Sequence, residues 1–407
     1  MVPKILIIGT DINAYYMARC YHELYNKKVD LIGKSPMAFT TVSNITNIKI
    51  EPNLWENEVF KRTLEEYAKQ NLSDEKILLI GTNDFYVRLI VENKEFLEKY
   101  YVFNYPDINI IDNLLIKENF YKIYENSLLD LPITEYYYCN NKDNIERLIK
   151  KFNSYPVIIK PSDGVSYHKL KIELDKVYKA KNQSELEQTI KKIEDAGYNE
   201  KLIIQEFIPG DDSALFDSIF YCGKDKKAKL ATFAQIGLQE HTPTGIGNCT
   251  VLVNGYDEHG YKEDLIYKLK EFLESIGYQG FAEFDMKYDY RDGKYKVLEI
   301  NPRQSRSGYY VAACGYNLVE YLIKDIIKKE NLEFEIIKQK VVLSFVPTKV
   351  IKKYIKNKKL KKEIIRLKRK NKIINPLKYK KDMSLERRKY MFMRDLNYFK
   401  KYKKYSF

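Results

Sequence analysis

The sequence predicts an α/β amino-terminal domain, an α+β body and a basic helical tail, and three observations carry that prediction. Over roughly the first hundred residues, short apolar runs that close in glycine turns alternate with helical patterns, the grammar of a parallel sheet covered by helices. From Tyr155 to Asn301 apolar strands separated by polar turns dominate. The last 59 residues, Lys349 to Phe407, hold 24 Lys+Arg against 4 Asp+Glu, a net of +20 in a chain whose total is +14. Residues 1 to 348 therefore carry −6, so the basic character belongs to the tail and not to the body.

Taken in order, Lys4-Ile5-Leu6-Ile7-Ile8-Gly9-Thr10-Asp11 reads as strand and turn, followed by a helix through Ala14, Met17, Ala18 and Tyr21. Val29 to Gly33 is a second strand, and Ile77 to Asp84 repeats the strand-turn-helix pattern. A Rossmann-like domain over residues 1–112 follows from this. A nicotinamide-binding function is excluded at the first turn, where Gly9 stands alone and G-x-G-x-x-G needs three glycines. A helix from Leu114 carries Lys117 and closes at Leu131-Pro132-Ile133-Thr134-Glu135. Tyr155 to Pro161 and Lys201 to Ile208 are apolar strands, each running into a polar loop. The glycine-punctuated stretch Phe233 to Asn248, which contains His241, lies between two predicted strands. Phe281 to Met286 and Val297 to Arg303 form a hairpin about the turn Tyr290-Arg291-Asp292-Gly293-Lys294. After Val341 to Pro347 the tail begins, and Ile351, Ile355, Ile364, Ile365, Leu367 and Ile374 punctuate its lysines, which predicts one or two basic helices.

Composition excludes several classes. At 407 residues the chain needs two or three domains. No apolar run approaches the roughly 20 residues of a membrane span, and the first residues lead straight into a strand, so a cytoplasmic protein is expected. Cys20, Cys139, Cys222, Cys249 and Cys314 are odd in number and widely spaced, which indicates neither a disulfide framework nor a zinc knuckle. His22, His168, His241 and His259 show no metal-ligand spacing. The 36 tyrosines follow from composition biased toward Lys, Ile, Asn and Tyr and do not imply nucleic-acid platforms.

The most specific chemistry lies in Val297-Leu298-Glu299-Ile300-Asn301-Pro302-Arg303. In an extended chain Glu299, Asn301 and Arg303 alternate onto one face, offering a carboxylate, an amide oxygen and a guanidinium. The hairpin would set Asp285 beside Glu299, and two carboxylates with an amide oxygen suit Mg²⁺, which takes few protein ligands and completes its shell with water and phosphate oxygens. Glu283, two residues before Asp285 and facing the same way, is an alternative first ligand. Lys160 ends an apolar strand just before Ser162-Asp163-Gly164-Val165-Ser166, a loop able to direct backbone N–H groups at an anion.

These motifs together resemble the ATP-grasp ligases. The extension Gln304-Ser305-Arg306-Ser307-Gly308 is most similar to their carbamoyl-phosphate-synthetase-like branch. Gly9 to Arg19 and Gly33 to Thr40 resemble the opening of the D-aspartate ligase group. The resemblance implies a pre-ATP-grasp domain over 1–112, a small lobe over 113–210, a large lobe over 211–335 and a basic extension over 336–407. It implies ATP and Mg²⁺, one or two ions, with Mn²⁺ a chemical equivalent. Lys117, Lys160, Gln205, Glu206, Phe207, Ile208 and Asp212 would bind the nucleotide: the lysines the phosphates, Glu206 and the Phe207 and Ile208 backbone the adenine, Asp212 the ribose. Spacing does not separate Asp212 from Asp211. Asp285, Glu299 and Asn301 would hold the metal, and Arg303 and Lys160 would stabilise phosphoryl transfer. The stretch around His241 would border the acceptor pocket.

The implied reaction joins an amino-acid carboxylate to an amine through an acyl phosphate: D-aspartate and the lysine of a peptidoglycan precursor, or alternatively two free amino acids or a small metabolite. No side-chain nucleophile is needed, which agrees with the lack of a Ser-His-Asp or Cys-His pattern. Through its tail the protein would meet the anionic cytoplasmic face of a membrane. A catalytically dead ATP-grasp scaffold and a basic-tailed nucleic-acid-binding protein are the competing classes, and substrate-dependent release of phosphate from ATP separates both from a ligase.

Overall fold

The computed structural model describes residues 2–71, 75–139, 141, 143–152, 154–162, 167, 170, 174–175, 177–243 and 245–405. The chain divides into two compact units: Met1–Ile111, Asp211–Asp285 and Ile300–Phe407 in the first, and Asp112–Gly210 with Met286–Glu299 in the second.

The first unit opens with five strands, β1 (Ile5–Ile8), β2 (Val29–Gly33), β3 (Thr46–Ile50), β4 (Ile77–Gly81) and β5 (Tyr101–Val102), in the order β3-β2-β1-β4-β5. All neighbours are parallel, as the alternating strands and helices require. Ile5 to Ile8 are all buried because a parallel sheet is covered on both faces. The order reverses between β1 and β4, so the turns after those strands lie side by side. Asp11 caps the helix Ile12–Tyr25 by accepting from Ala14 N at 2.9 Å, and Asn83 caps Asp84–Glu92 by accepting from Tyr86 N at 2.9 Å. Gly9 has φ +133°, and a Cβ there would lie 2.0 Å from Thr82 Oγ1. The lone glycine thus serves the close passage of two turns rather than a pyrophosphate.

The second unit is built on β6 (Thr134–Tyr138), β7 (Val157–Pro161), β8 (Tyr178–Ala180) and β9 (Lys201–Glu206), ordered β6-β9-β7-β8 and antiparallel throughout. Val157, Ile159, Leu202 and Ile204 face the helix Gln183–Asp195, whose Leu186, Ile190 and Ile193 recur at the spacing of one helical face. The opposite sheet face carries Lys160 and Gln205.

A nine-stranded sheet is formed by β10 (Leu215–Cys222), β11 (Ala228–Thr232), β12 (Ala234–Gln239), β13 (Cys249–Asn254), β14 (Gly280–Asp289), β15 (Lys294–Asn301), β16 (Glu335–Ile337), β17 (Val342–Ser344) and β18 (Ile373–Ile374), of which the hairpin segment Met286–Glu299 belongs to the second unit. The predicted hairpin is present as β14 and β15, with its turn at 290–293.

The basic tail is helical, and one side of it joins the core. Helices Thr348–Tyr354, Lys358–Arg369 and Leu385–Tyr405 flank β18, which pairs with β17. Leu360, Ile364, Leu367, Leu377, Met391, Tyr398 and Tyr402 are buried in the same cluster as Ile5, Ile7 and Val251. Asp382 and Arg387 are fully buried and paired at 3.3 Å. Asp382 accepts from Tyr15 OH at 2.9 Å, Ser43 Oγ at 2.8 Å and Asn44 N at 2.6 Å. Arg387 stacks over the Tyr15 ring at 3.9 Å and donates to Phe39 O and Leu377 O. These contacts join the tail to the first turns of the amino-terminal sheet, so it is no appendage. Among the described residues, no helix is long and apolar enough to cross a membrane.

Candidate active site

In the first unit the end of β15 carries the densest polar network. Asn301 is buried between two strands, its Nδ2 donating to Glu283 Oε2 at 3.3 Å and Asp285 Oδ2 at 3.4 Å. Arg303 donates Nη2–H to Asn301 Oδ1 at 3.2 Å and Nε–H to Asp84 Oδ1 at 2.7 Å. Burial pushes the pKa of this guanidinium down, and the carboxylates of Asp84 and Glu283 more than offset it, leaving it above its ordinary value. Asp84 comes from the turn after β4, so the amino-terminal sheet aims the arginine. Gln304 reinforces this by donating to Gly81 O at 2.9 Å.

Beneath this layer lies a second carboxylate pair. Burial and the neighbouring Asp217 raise Glu283 to about 8, and burial likewise raises Asp217. Glu283 accepts from Ser305 Oγ. Asp217 accepts from Ser307 Oγ at 2.8 Å and Tyr310 OH at 2.7 Å. The serines of the Gln304 to Gly308 extension therefore hold two buried acids whose charged forms burial disfavours.

Asp211 and Asp212, equivalent in sequence, separate here. Asp211 caps a short turn by accepting from Ser213 N at 2.9 Å and Ser213 Oγ at 2.6 Å. Asp212 accepts from Gln239 N at 3.0 Å, Gln239 Nε2 at 3.1 Å and His241 Nε2 at 2.9 Å, and its hydrogen bond raises the His241 pKa above the ordinary value. Asp212 is thus tied to the loop after β12. The carboxy-terminal helix braces that loop: Tyr402 OH donates to Gln239 O at 2.8 Å, and Lys401 pairs with Glu240 at 3.1 Å.

In the second unit Lys160 Nζ donates to Gln205 Oε1 at 3.0 Å and lies 5.5 Å from the Tyr121 ring centroid. Gln205 is fixed in turn by donating to Thr134 Oγ1 at 2.9 Å. Burial, helped by the Lys117 charge and opposed by Glu299, lowers the Lys160 pKa to about 7. Lys117 and Glu299 are thereby placed in the same electrostatic neighbourhood as Lys160. Lys117 begins the helix Lys117–Ile123. Tyr121, on that helix, donates to Leu298 O at 2.5 Å and so ties it to β15.

Glu206 accepts from Ile133 N at 2.9 Å and pairs with Arg291 at 2.9 Å. Arg291 also pairs with Asp289 at 2.5 Å, which makes the predicted turn a brace for the end of β9. The Phe207 ring has Lys179 Nζ 3.6 Å and Lys287 Nζ 5.3 Å from its centroid. The Phe207 N–H is donated to Pro156 O at 3.2 Å. Ile208 is buried. Residues 163–166 of the predicted anion loop, His168 and Thr244 lie outside the described residues.

Asp285 and Asn301 carry hard oxygen donors of the kind magnesium takes, while the amide here turns its nitrogen to Glu283 and Asp285 and its oxygen to Arg303. Asp285 and Asn301 meet in the first unit, and Glu299, two residues before Asn301 on one strand, shares its face. Among the described residues no three His, Cys, Asp or Glu side chains form a metal cage; magnesium takes few protein oxygens and completes its shell with water and phosphate.

Comparison with known proteins decides the family. Residues 117–307 match the ATP-grasp domain family. Over 325 residues the chain is 34% identical to the D-aspartate ligase of Enterococcus faecium (strain Aus0004), with 79% of this chain and 76% of that one covered. The chain belongs to the ATP-grasp carboxylate-amine ligases. The fold of the ligase is similar to that of N5-carboxyaminoimidazole synthetase from Staphylococcus aureus complexed with ADP, with a TM-score of 0.60, 13% identity and coverage of 84% of this chain and 81% of that one. It is also similar to the L-amino acid ligase from Bacillus licheniformis, with a TM-score of 0.55, 14% identity and coverage of 80% and 74%. ATP-grasp enzymes use ATP with Mg²⁺.

Sequence reasoning missed Asp84, Asp217, Tyr121 and Arg291. Asp84 lies 219 residues from Arg303, and no spacing rule links them. Arg291 was legible only as a turn residue.

Proposed function

We propose that this ligase activates the side-chain carboxylate of D-aspartate, or of a related amino acid, as an acyl phosphate and passes it to the lysine amine of a peptidoglycan precursor. One observation carries the proposal. The 325-residue similarity to a D-aspartate ligase is longer than the matched domain at 117–307, so it includes chain outside the nucleotide-binding part, where substrate preference would be set.

In the proposed reaction a carboxylate oxygen attacks the γ-phosphorus of ATP, the bond to the β–γ bridging oxygen breaks, and ADP departs. The amine then attacks the acyl carbon, phosphate leaves, and the amine gives up a proton. Lys160, Lys117 and Arg303 neutralise charge on the transferring group. Gln205 and Tyr121 orient Lys160, and Asp84 orients Arg303. When bound, Mg²⁺, or Mn²⁺ in its stead, supplies positive charge to the β- and γ-phosphates, and Asp285, Glu299 and Asn301 are the residues that would hold it. Asp285 suits that task better than Glu283, which is buried and engaged by Ser305. Glu206 with the Phe207 carbonyl and the Ile208 amide would meet the adenine. Asp212 has three donors already, so contact with ribose would use its remaining lone pairs. Cytoplasmic work beside the anionic leaflet fits both substrates.

The test is phosphate release from ATP with D- and L-amino acids, each with and without a cell-wall pentapeptide precursor. Release that needs D-aspartate and precursor together supports the proposal. Turnover with two free amino acids and no precursor would replace it with the free amino-acid ligase alternative.

A further inference from the structure

The inner face of the carboxy-terminal helix Leu385–Tyr405 is accounted for by core packing, but its outer face is not. At about 100° per residue, Leu385, Phe392, Leu396, Phe399 and Lys403 fall in a stripe about 60° wide, turned roughly 120° around the helix from the buried Arg387, Met391, Tyr398 and Tyr402. Leu385 is 86% exposed, Phe392 62% and Met393 54%, and Leu396 and Phe399 are exposed as well. The stripe runs about 27 Å along the helix, at 1.5 Å per residue. A soluble surface rarely leaves so many large apolar side chains contiguous without a partner.

Charge decides which partner. Arg388, Lys389 and Lys400 flank the stripe and Lys403 continues it, all exposed. Among the exposed residues of this helix Glu386 is the one acid, since Asp395 is half-buried and paired with Lys378 at 3.0 Å. A second copy of the chain would bring the same positive charges against these, at a cost that grows as salt falls. An anionic lipid surface complements both features: it takes the apolar stripe into the acyl boundary and pairs the lysines and arginine with headgroups. RNA would meet the charge but leave Leu385, Met393 and Leu396 uncovered.

We infer that the outer face of helix Leu385–Tyr405 is a peripheral docking surface for an anionic membrane. This deepens the proposed work beside the cytoplasmic leaflet but does not depend on which substrates are joined, because lipid binding is read without turnover. The same helix braces the loop after β12 through Tyr402 and Lys401, so the docking element and that loop are parts of one packed structure.

The experiment uses the full chain with vesicles of phosphatidylglycerol mixed with phosphatidylcholine, and of phosphatidylcholine alone, read by co-sedimentation. Two triple variants are compared, Phe392→Ser with Leu396→Ser and Phe399→Ser, and Lys389→Gln with Lys400→Gln and Lys403→Gln. All six positions face solvent, so thermal midpoints should match the parent and certify the fold. The expected result is binding to the anionic vesicles only, weakened roughly 10- to 100-fold by the charge triple and lost in the apolar triple even at low salt. Equal binding by parent and variants, binding to neutral vesicles alone, or no binding would overturn the inference. So would a parent that dimerises through this face, or one that binds RNA and not vesicles.

Discussion

The strand segment 297–308 and the tail 349–407 are both charged stretches, yet the structure uses their charge in opposite ways. In the first, charged and amide groups turn inward upon one another: Arg303 on Asp84, Asn301 on Asp285, Ser305 on Glu283. In the second, nearly all charge turns outward while a few residues, Asp382 and Arg387 above all, lock the segment to the amino-terminal sheet. Charge therefore marks neither a site nor a scaffold by itself; what distinguishes the two segments is how many of their polar groups are desolvated upon one another.

Deletion from Lys349 onward should break the comparison most severely. It removes β18 and the buried Leu360, Ile364, Leu377 and Tyr402, so circular dichroism should show no cooperative melting of the first unit. A folded, active truncated protein would show the tail to be dispensable. Asp382→Asn should act in the same direction but less, because it strands the buried Arg387 charge. A loss of about 3–5 kcal/mol is expected in denaturant titration.

Arg303→Lys tests the other half of the comparison. A point charge cannot reproduce the fork that reaches Asp84 and Asn301, and kcat/KM should fall about 10²- to 10³-fold with the melting midpoint nearly unchanged. Loss of stability in place of activity would make Arg303 a structural brace like Arg387.

The smallest expected effect concerns pH. The folded Lys160 pKa of about 7 lies below the ordinary lysine value near 10.4, so the site without ATP loses this cation as pH rises through 7. ATP binding favours the charged form, and affinity should fall by up to about tenfold per pH unit above 7. Stability has the opposite slope: between the two pKa values the unfolded chain binds more protons, so this group makes the protein more stable as pH rises across that window. Lys160→Met should flatten the binding profile, and an unchanged profile would exclude Lys160 from phosphate contact.

Much of this was legible in the sequence, for reasons of range. Strands β1, β2 and β4 announce themselves by apolar runs closed by turns, and two-residue periodicity places Glu299 and Asn301 on one face of β15, whereas Arg303 lies in the bend after the strand ends at Asn301. Lys160 and Gln205 were legible as separate strand ends, though not that one holds the other. What could not be read was long-range pairing. Nothing local marks Asp217 as the acid under Ser307, or Asp382 as the anchor of a lysine-rich tail, because burial and partnership are set by the packed fold. The tail's net charge hid its core residues for the same reason: Leu360, Ile364 and Leu367 are a narrow stripe among many lysines.

The central claim is that a carboxylate takes phosphate from ATP before an amine displaces it. D-aspartate carrying ¹⁸O in its side-chain carboxylate, incubated with ATP, Mg²⁺, the precursor and the ligase, tests this most directly by mass spectrometry of the released phosphate. One ¹⁸O should appear in each phosphate formed with product. Amide product accompanied by unlabelled phosphate would contradict the acyl-phosphate account.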